Sequence, residues 1–144
     1  MPSTDPNRGA RSELSGFDAF YGMQIDSASA DEMRAHLLIQ DHHKQPVGLL
    51  HGGVLAAMAE ALASIGAWIA AGDGKVTSGI NNNTSFMRPF LSGTVHALAR
   101  PRHSGRTTAV WEVEFTDDDG RLCAVSRMTI AVRDAPEGIR IPTT

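Results

Sequence analysis

The sequence predicts an α+β fold in which one long helix is laid on one face of an antiparallel sheet. Three observations predict it. Apolar residues recur at Leu55, Met58, Leu62, Ile65 and Ile69, three and four apart as on one side of a helix. The segments on either side alternate apolar and polar residues with a period of two and are divided by turn residues. Finally, the elements come as a strand pair, a single helix and four strands, without the strand and helix alternation that builds parallel sheets.

Residues 1–15 mix Pro, Ser, Asp, Asn and Arg with almost no bulky apolar side chain. They cannot bury enough surface to offset their ordering entropy and are expected to be disordered. A single domain then runs over residues 16–133. Its first strands are Gly22 to Ser27 and Glu32 to Leu38, joined across Ser29, Ala30 and Asp31; in the second, Met33, Ala35 and Leu37 alternate with Arg34, His36 and Leu38. Asp41 to Gly48 is polar, contains Pro46 and reads as a loop. The helix follows over roughly residues 51–71, and Gly72-Asp73-Gly74 ends it, glycine being suited to the conformation after a last helical turn. Four strands complete the domain: Val76 to Arg88, Thr94 to Arg102, Thr107 to Thr116 and Leu122 to Val132. Asp118-Asp119-Gly120 marks the last hairpin, because these residue types accept positive φ. Residues 134–144, with two prolines, are expected to form a loose tail.

A chain of 144 residues, 42% hydrophobic and 20% charged, is long enough for one core but not for two. The net charge of −3 supplies no basic field that would draw the protein to nucleic acid or anionic membranes, so any anion must be held by local groups. The one cysteine, Cys123, cannot form an intrachain disulfide, and flanked by Leu122 and Ala124 in a strand it reads as packing. Together with a polar start that lacks the apolar stretch of a signal peptide, this gives a cytoplasmic expectation. The most apolar segment, Gly48 to Ala71, is interrupted by His51 and Glu60 and rich in alanine and glycine. It reads as a buried helix of a soluble protein rather than a membrane span.

The helix has a second face. At 100° per residue, Gly53, Ala56, Ala57, Ala63, Ser64 and Ala67 surround Glu60, while the large apolar residues point away. Solvated helix faces usually carry Lys and Arg; this helix has neither. Small side chains admit close approach by another backbone or a ligand, and a carboxylate pressed into such a contact loses water, which strengthens it as a base. At the start of the helix stands His51-Gly52-Gly53. Glycines there leave the unpaired N–H groups uncovered at the positive end of the macrodipole, where a developing oxyanion could be received; plain turn chemistry with His51 as a polar cap is the other reading. Gly52 and Glu60 are eight residues apart, roughly 12 Å along the axis. No single small carbonyl can touch both. If both act on one substrate they come from different copies of the chain, as in two helices antiparallel about a two-fold axis, so the chemistry predicts a dimer with two shared sites.

Other chemistry-bearing residues are less telling. His42 and His43 are adjacent and have no Cys, Asp or Glu at metal-site spacing, so neither a metal nor a cofactor is expected. No Gly-x-Ser-x-Gly elbow makes a serine the nucleophile. Arg88, Arg100, Arg102, His103 and Arg106 gather near strand ends, where they could receive phosphates or form a solvated rim. Asn81-Asn82-Asn83 within a strand is unusual, and suggests polar satisfaction at an interface or edge.

The run GLLHGGVLAAMAEALASIGAW, preceded by His43-Lys44-Gln45-Pro46, resembles the signature of the hot-dog thioesterases of the phenylacetate-pathway and 4-hydroxybenzoyl-CoA thioesterase type. The likeness continues through NNNTSFMRPFLSGTV, PRHSGRTTAVWEVEF and DDDGRLCAVSRMTIAV and covers roughly residues 20–133. The resemblance implies a hot-dog fold, a long central helix wrapped by a curved antiparallel β-sheet, paired into homodimers with a continuous sheet and assembled further into homotetramers. It implies hydrolysis of an acyl-CoA, aryl or medium-chain, or of an acyl carrier protein thioester. By position Glu60 matches the catalytic carboxylate, as nucleophile or general base. Gly52 matches the residue whose N–H polarises the thioester carbonyl, Gln45 and His51 its neighbours, and Ser64 the hydroxyl that positions water. Arg88 and His103, with Gly53, Ser104 and Gly105, match positions near the coenzyme A arm. Phe86 stands where the bacterial relatives carry His two residues before the arginine, which bears on the coenzyme A contacts. A hydratase or dehydratase of the same fold would need a proton-shuttling His in a motif that this chain lacks. A silent acyl-CoA sensor would not need Glu60.

Overall fold

The computed structural model describes residues 14–138. In chain order its elements are α1 (Gly16–Tyr21), β1 (Gln24–Ala28), β2 (Met33–Leu38), a single 3-10 turn (Asp41–His43), α2 (Gly52–Ala71), β3 (Lys75–Phe86), β4 (Thr94–Ser104), β5 (Thr108–Thr116) and β6 (Leu122–Asp134). The strands form one antiparallel sheet in the order β1-β2-β4-β5-β6-β3, with α2 packed on one face. The predicted α+β class and the long central helix are what the fold contains. Residues 1–13 and 139–144, which hold most of the expected disordered segment and of the loose tail, lie outside the described residues.

Local chemistry accounts for the boundaries. The β1–β2 turn is tied by Ser29, whose Oγ accepts the N–H groups of Asp31 and Glu32. The burial of Met33, Ala35 and Leu37 against the exposure or half-burial of their neighbours follows the period of two. α2 ends at Gly72, where φ is 87° and ψ is −172°, a backbone conformation open to glycine alone. In the β5–β6 hairpin the Asp117 carboxylate accepts the N–H groups of Asp119 and Arg121, and Gly120 takes a φ of 76°. β6 continues to Asp134, beyond the expected end of the domain at residue 133. Asp134 pairs with Lys75, and the Ala135 N–H donates to the Gly74 carbonyl.

The core lies between α2 and the sheet. By length and composition α2 could cross a membrane, but Leu55, Met58, Ala59, Leu62, Ala63, Gly66 and Ala67 are buried. The helical wheel needs a correction here: Ala63 and Ala67, expected on the open face with Glu60, belong to the core, whereas Ile65 and Ile69 are only partly buried. The sheet curves round the helix, and small residues let it come close. Gly66 is the extreme case, since a Cβ there would lie 2.7 Å from Trp111 Cζ3 and 2.8 Å from Cζ2, and that ring is wholly buried. Gly66→Ala is therefore expected to lower stability by about 1–3 kcal/mol through overpacking, although alanine is the better helix former by about 1 kcal/mol. Urea denaturation checks this; a variant as stable as the native chain would show that the indole can move aside.

Candidate active site

The segment leading into α2 is closed by backbone hydrogen bonds. Gln45 N–H donates to the Leu49 carbonyl (2.8 Å), Gly48 N–H to Gln45 (2.9 Å), and Leu50 N–H to Phe90 (2.9 Å). His51 N–H donates to the His43 carbonyl (2.9 Å). His51 is the N-cap: its ring Nδ1 accepts the Gly53 N–H at 2.8 Å, and its carbonyl accepts the Val54 N–H at 3.0 Å. The capping role weighed in the sequence is thus real, and it selects one amide. Gly53 and Val54 are satisfied, while the Gly52 N–H has no hydrogen-bond partner among the described residues. It lies in the first turn of a 20-residue helix, where the macrodipole is positive.

A groove of about 540 Å³ opens beside Gly52, lined mainly by Leu49, Leu50, Leu55, Met87, Pro89 and Phe90, with Gln45, Phe86 and Arg88 also on its wall. Phe86 packs over Gly52, and a Cβ at Gly52 would come within 2.8 Å of its ring. The structure therefore brings Gln45, Gly52, Phe86 and Arg88 together.

Glu60 stands two turns further on, exposed, with the partly or fully exposed Gly53, Ala56, Ala57 and Ser64 on its side of the helix. Strand β3 crosses α2 here. Thr77 Oγ1 donates to the Ser64 carbonyl (2.9 Å), and Asn82 Nδ2 to the Ala56 carbonyl (2.9 Å). Between them Gly79 faces Glu60: a Cβ on Gly79 would sit 3.0 Å from Glu60 Oε1. Thr77 and Gly79 are odd-numbered, whereas Asn82, Thr84 and Phe86 are even. The switch comes from a bulge at Ile80, since Gly79 pairs with Ile130 and Asn81 with Thr129, and one extra residue exchanges the faces of a strand. This accounts for the middle residue of the asparagine run. Asn82 turns to the helix, accepts from Thr84 Oγ1 (2.7 Å), and holds the carbonyl that also receives the helical N–H of Glu60. Gly79, Asn82 and Thr77 were not singled out in the sequence for this role; a glycine inside a strand was the available signal.

His103, Ser104 and Gly105 are elsewhere, at the β4–β5 hairpin. Thr108 pairs with Ala131 on β6, while Phe86 pairs with Ala124. Seven residues of strand separate the two levels, roughly 23 Å. One copy of the chain does not bring His103, Ser104 and Gly105 to Arg88, nor Glu60 to Gly52. Arg100 and Arg102 follow the solvated-rim reading, being paired with Glu32 (2.8 Å) and Glu112 (3.1 Å). Arg100 and Arg34 hold the Glu32 carboxyl below its usual range. Cys123 is buried, donates to the Arg121 carbonyl at 3.3 Å, and has its thiol pushed up by burial, so it is packing and not a poised thiolate. Among the described residues no group of three or more His, Cys, Asp or Glu side chains is gathered as a metal site.

The family model of the Thioesterase superfamily matches residues 47–124, the stretch from the loop before α2 to the third residue of β6. The chain belongs to the thioesterase superfamily. It is 36% identical over 114 residues to the proofreading thioesterase EntH of Klebsiella pneumoniae, covering 79% of this chain and 83% of that one. To the 1,4-dihydroxy-2-naphthoyl-CoA hydrolase of Escherichia coli it is 31% identical over 113 residues, 78% of this chain and 83% of the other. A crystal structure of a thioesterase from Haemophilus influenzae superposes with a TM-score of 0.81 at 28% identity, covering 90% of this chain and 98% of that one. The fold of this thioesterase is the hot-dog fold. The contact between Gly79 and Glu60 yields a separable expectation. Gly79→Ala should leave stability level or raise it by up to about 1 kcal/mol, because alanine loses less entropy in a strand. It should also displace the Glu60 carboxylate and lower thioester hydrolysis about tenfold or more. Urea denaturation and a thiol-release assay on the same sample check this, and unchanged hydrolysis would show that the displacement is harmless.

Proposed function

We propose that this thioesterase hydrolyses an acyl-CoA, with an aryl or medium-chain acyl group, to the free acid and coenzyme A. The observation that carries the reading is the unpaired Gly52 N–H at the positive end of α2, opening onto a largely apolar groove. A thioester carbonyl seated there would gain a hydrogen bond that strengthens as its oxygen becomes an oxyanion. Gln45 and His51 flank the position, and the apolar walls suit an alkyl or aryl group. The 1,4-dihydroxy-2-naphthoyl-CoA named for the Escherichia coli relative is an aryl thioester.

The reaction also needs a carboxylate, and Glu60 is roughly 12 Å along its own helix from Gly52. The site is therefore completed by Glu60 of a second copy in a homodimer with two shared sites. Two features of one chain favour such pairing. β3 is a 12-residue edge strand with no neighbour on its outer side among the described residues, an edge that proteins rarely leave long and bare. Beside it lies the partly exposed face of Gly53, Ala56, Ala57 and Glu60, whose small side chains let another helix approach. In the reaction, Glu60 either takes a proton from water as the water oxygen attacks the carbonyl carbon, or attacks that carbon itself to give a mixed anhydride, which water then hydrolyses to the free acid and the Glu60 carboxylate. Collapse of the tetrahedral species breaks the C–S bond and releases the thiolate, which leaves as coenzyme A. Ser64, one turn after Glu60, would orient the water. Arg88, His103, Ser104 and Gly105, drawn from the two chains, would line the path of the coenzyme A arm.

Glu60→Gln keeps shape and removes the base. Thiol release from aryl, short, medium and long acyl-CoAs is expected to fall by about two orders of magnitude or more in this variant. Native protein that binds these esters without releasing thiol would overturn the hydrolysis of acyl-CoA in favour of a sensor or a carrier-protein thioester; a change in enoyl absorbance without thiol would identify a hydratase.

A further inference from the structure

His43 is a residue that the function leaves unused and that the structure engages through both its ring and its backbone. With Ser126 it makes up the buried polar side chains of the described core, at 4% exposure. Both ring nitrogens are engaged. Nδ1 receives the Gln40 N–H at 3.0 Å, so it is an acceptor, and the ring proton is on Nε2, which donates to the Tyr21 carbonyl at 2.6 Å. Both backbone groups are engaged as well, the N–H with the Gln40 carbonyl at 3.0 Å and the carbonyl with the His51 N–H at 2.9 Å. One residue thus joins the last turn of α1, the exit from β2 and the N-cap of α2. The Tyr21 carbonyl belongs to the last turn of a helix of six residues, where it has no partner within the helix.

We infer that His43 is a positioning residue of the thioesterase site, a buried peg that sets His51 and through it the direction of the Gly52 N–H. This deepens the reading in which Gly52 polarises the thioester carbonyl and rests on it. The path of influence is short. The His43 carbonyl holds the His51 N–H; the His51 ring and carbonyl then take the Gly53 and Val54 N–H groups, so the placement of His51 leaves Gly52 as the free donor. Gln45, on the wall of the groove, is two residues from His43. A donor to an oxyanion acts only within a few tenths of an ångström of its place. If the ring merely filled space, an apolar residue of similar size would serve. It would, however, leave the buried Tyr21 carbonyl and the part-buried Gln40 N–H without partners, and the segment between α1 and α2 would shift to rehydrate them.

Three variants separate positioning from filling. Asn at 43 keeps an acceptor near Nδ1, Gln keeps a donor near Nε2, and Leu keeps neither. The expected kcat order on the best acyl-CoA is native, then His43→Gln and His43→Asn, then His43→Leu. The leucine variant should fall about tenfold to a hundredfold, less than removal of the donor itself. KM should change by less than about threefold, because the lost interaction is made in the transition state. Hydrogen exchange of the His51 amide, which needs no substrate, should quicken in the same order. Native kcat in His43→Leu, with the His51 amide still slow, would overturn the inference. If leucine does not fold, the glutamine and asparagine variants decide by the same two readings. Native protein that releases no thiol would sink the proposed function instead, and His51 exchange alone would then show whether the peg holds the cap.

Discussion

Strand β3 lies against α2 at the distance that a glycine allows, and the rest of the structure is built round that contact. Thr77, Gly79, Asn82 and Phe86 meet Ser64, Glu60, Ala56 and Gly52 in turn, so the strand runs antiparallel to the helix and touches it at every turn from 64 back to 52. A regular strand could not do this with these residues, because Asn82 and Phe86 would face away. The bulge at Ile80 turns them inward. It leaves Ile80 itself exposed and gives up one pairing on β6, and in return Glu60 gets a glycine opposite it and the helix gets an asparagine bond to its backbone.

The same contact explains how an apolar helix can carry a single charge half-way along. A carboxylate on the core side would cost several kcal/mol in lost hydration; on the far side of a curved sheet it would be an ordinary surface group. At the margin, where β3 passes, Glu60 is wetted on one side and closely bounded on the other. The free N–H is placed by equally local means. A serine or aspartate cap would have satisfied one early amide with a short side chain. Histidine does so with a ring, whose Nδ1 reaches forward to the Gly53 N–H, and Gly52 is left on the wall of the groove.

How far this was legible depends on the length scale. The periodicity of α2 and the alternation of β2, β4, β5 and β6 are properties of side chains summed over several repeats of the period, and they predicted the elements to within one or two positions. The Gly-rich start of α2 and the small side chains near Glu60 were legible for the same reason, since a run of like residues leaves a mark. What escaped depends on one residue and its partner in space. A helical wheel gives the angle of Ala63 but not the curvature of the sheet that buries it. Nothing in Gly79-Ile80-Asn81 tells which residue is extra in the ladder. α1 has six residues, too few to carry a period, and His43 sits in a stretch whose polarity reads as loop although its ring is buried. That Gly52 and Glu60 of one chain lie too far apart to touch one carbonyl was legible by arithmetic alone, because eight helical residues span more than a carbonyl can bridge.

Phe86 ties these lines together. The residue is 57% exposed and its ring packs over Gly52, at a place where the resemblance led one to expect histidine. An imidazole there would be a second donor or acceptor beside the Gly52 N–H, and it would hold water near the helix start. A phenyl ring makes no hydrogen bond and lowers the polarity around the amide, where an N–H acts more strongly on a developing charge than it does in water. Groups that can interact by charge or hydrogen bond are then few in the groove: Gln45, Arg88 and the amide itself. Among the described residues Arg88 is the one charged side chain on that wall, and most of the remaining wall is apolar.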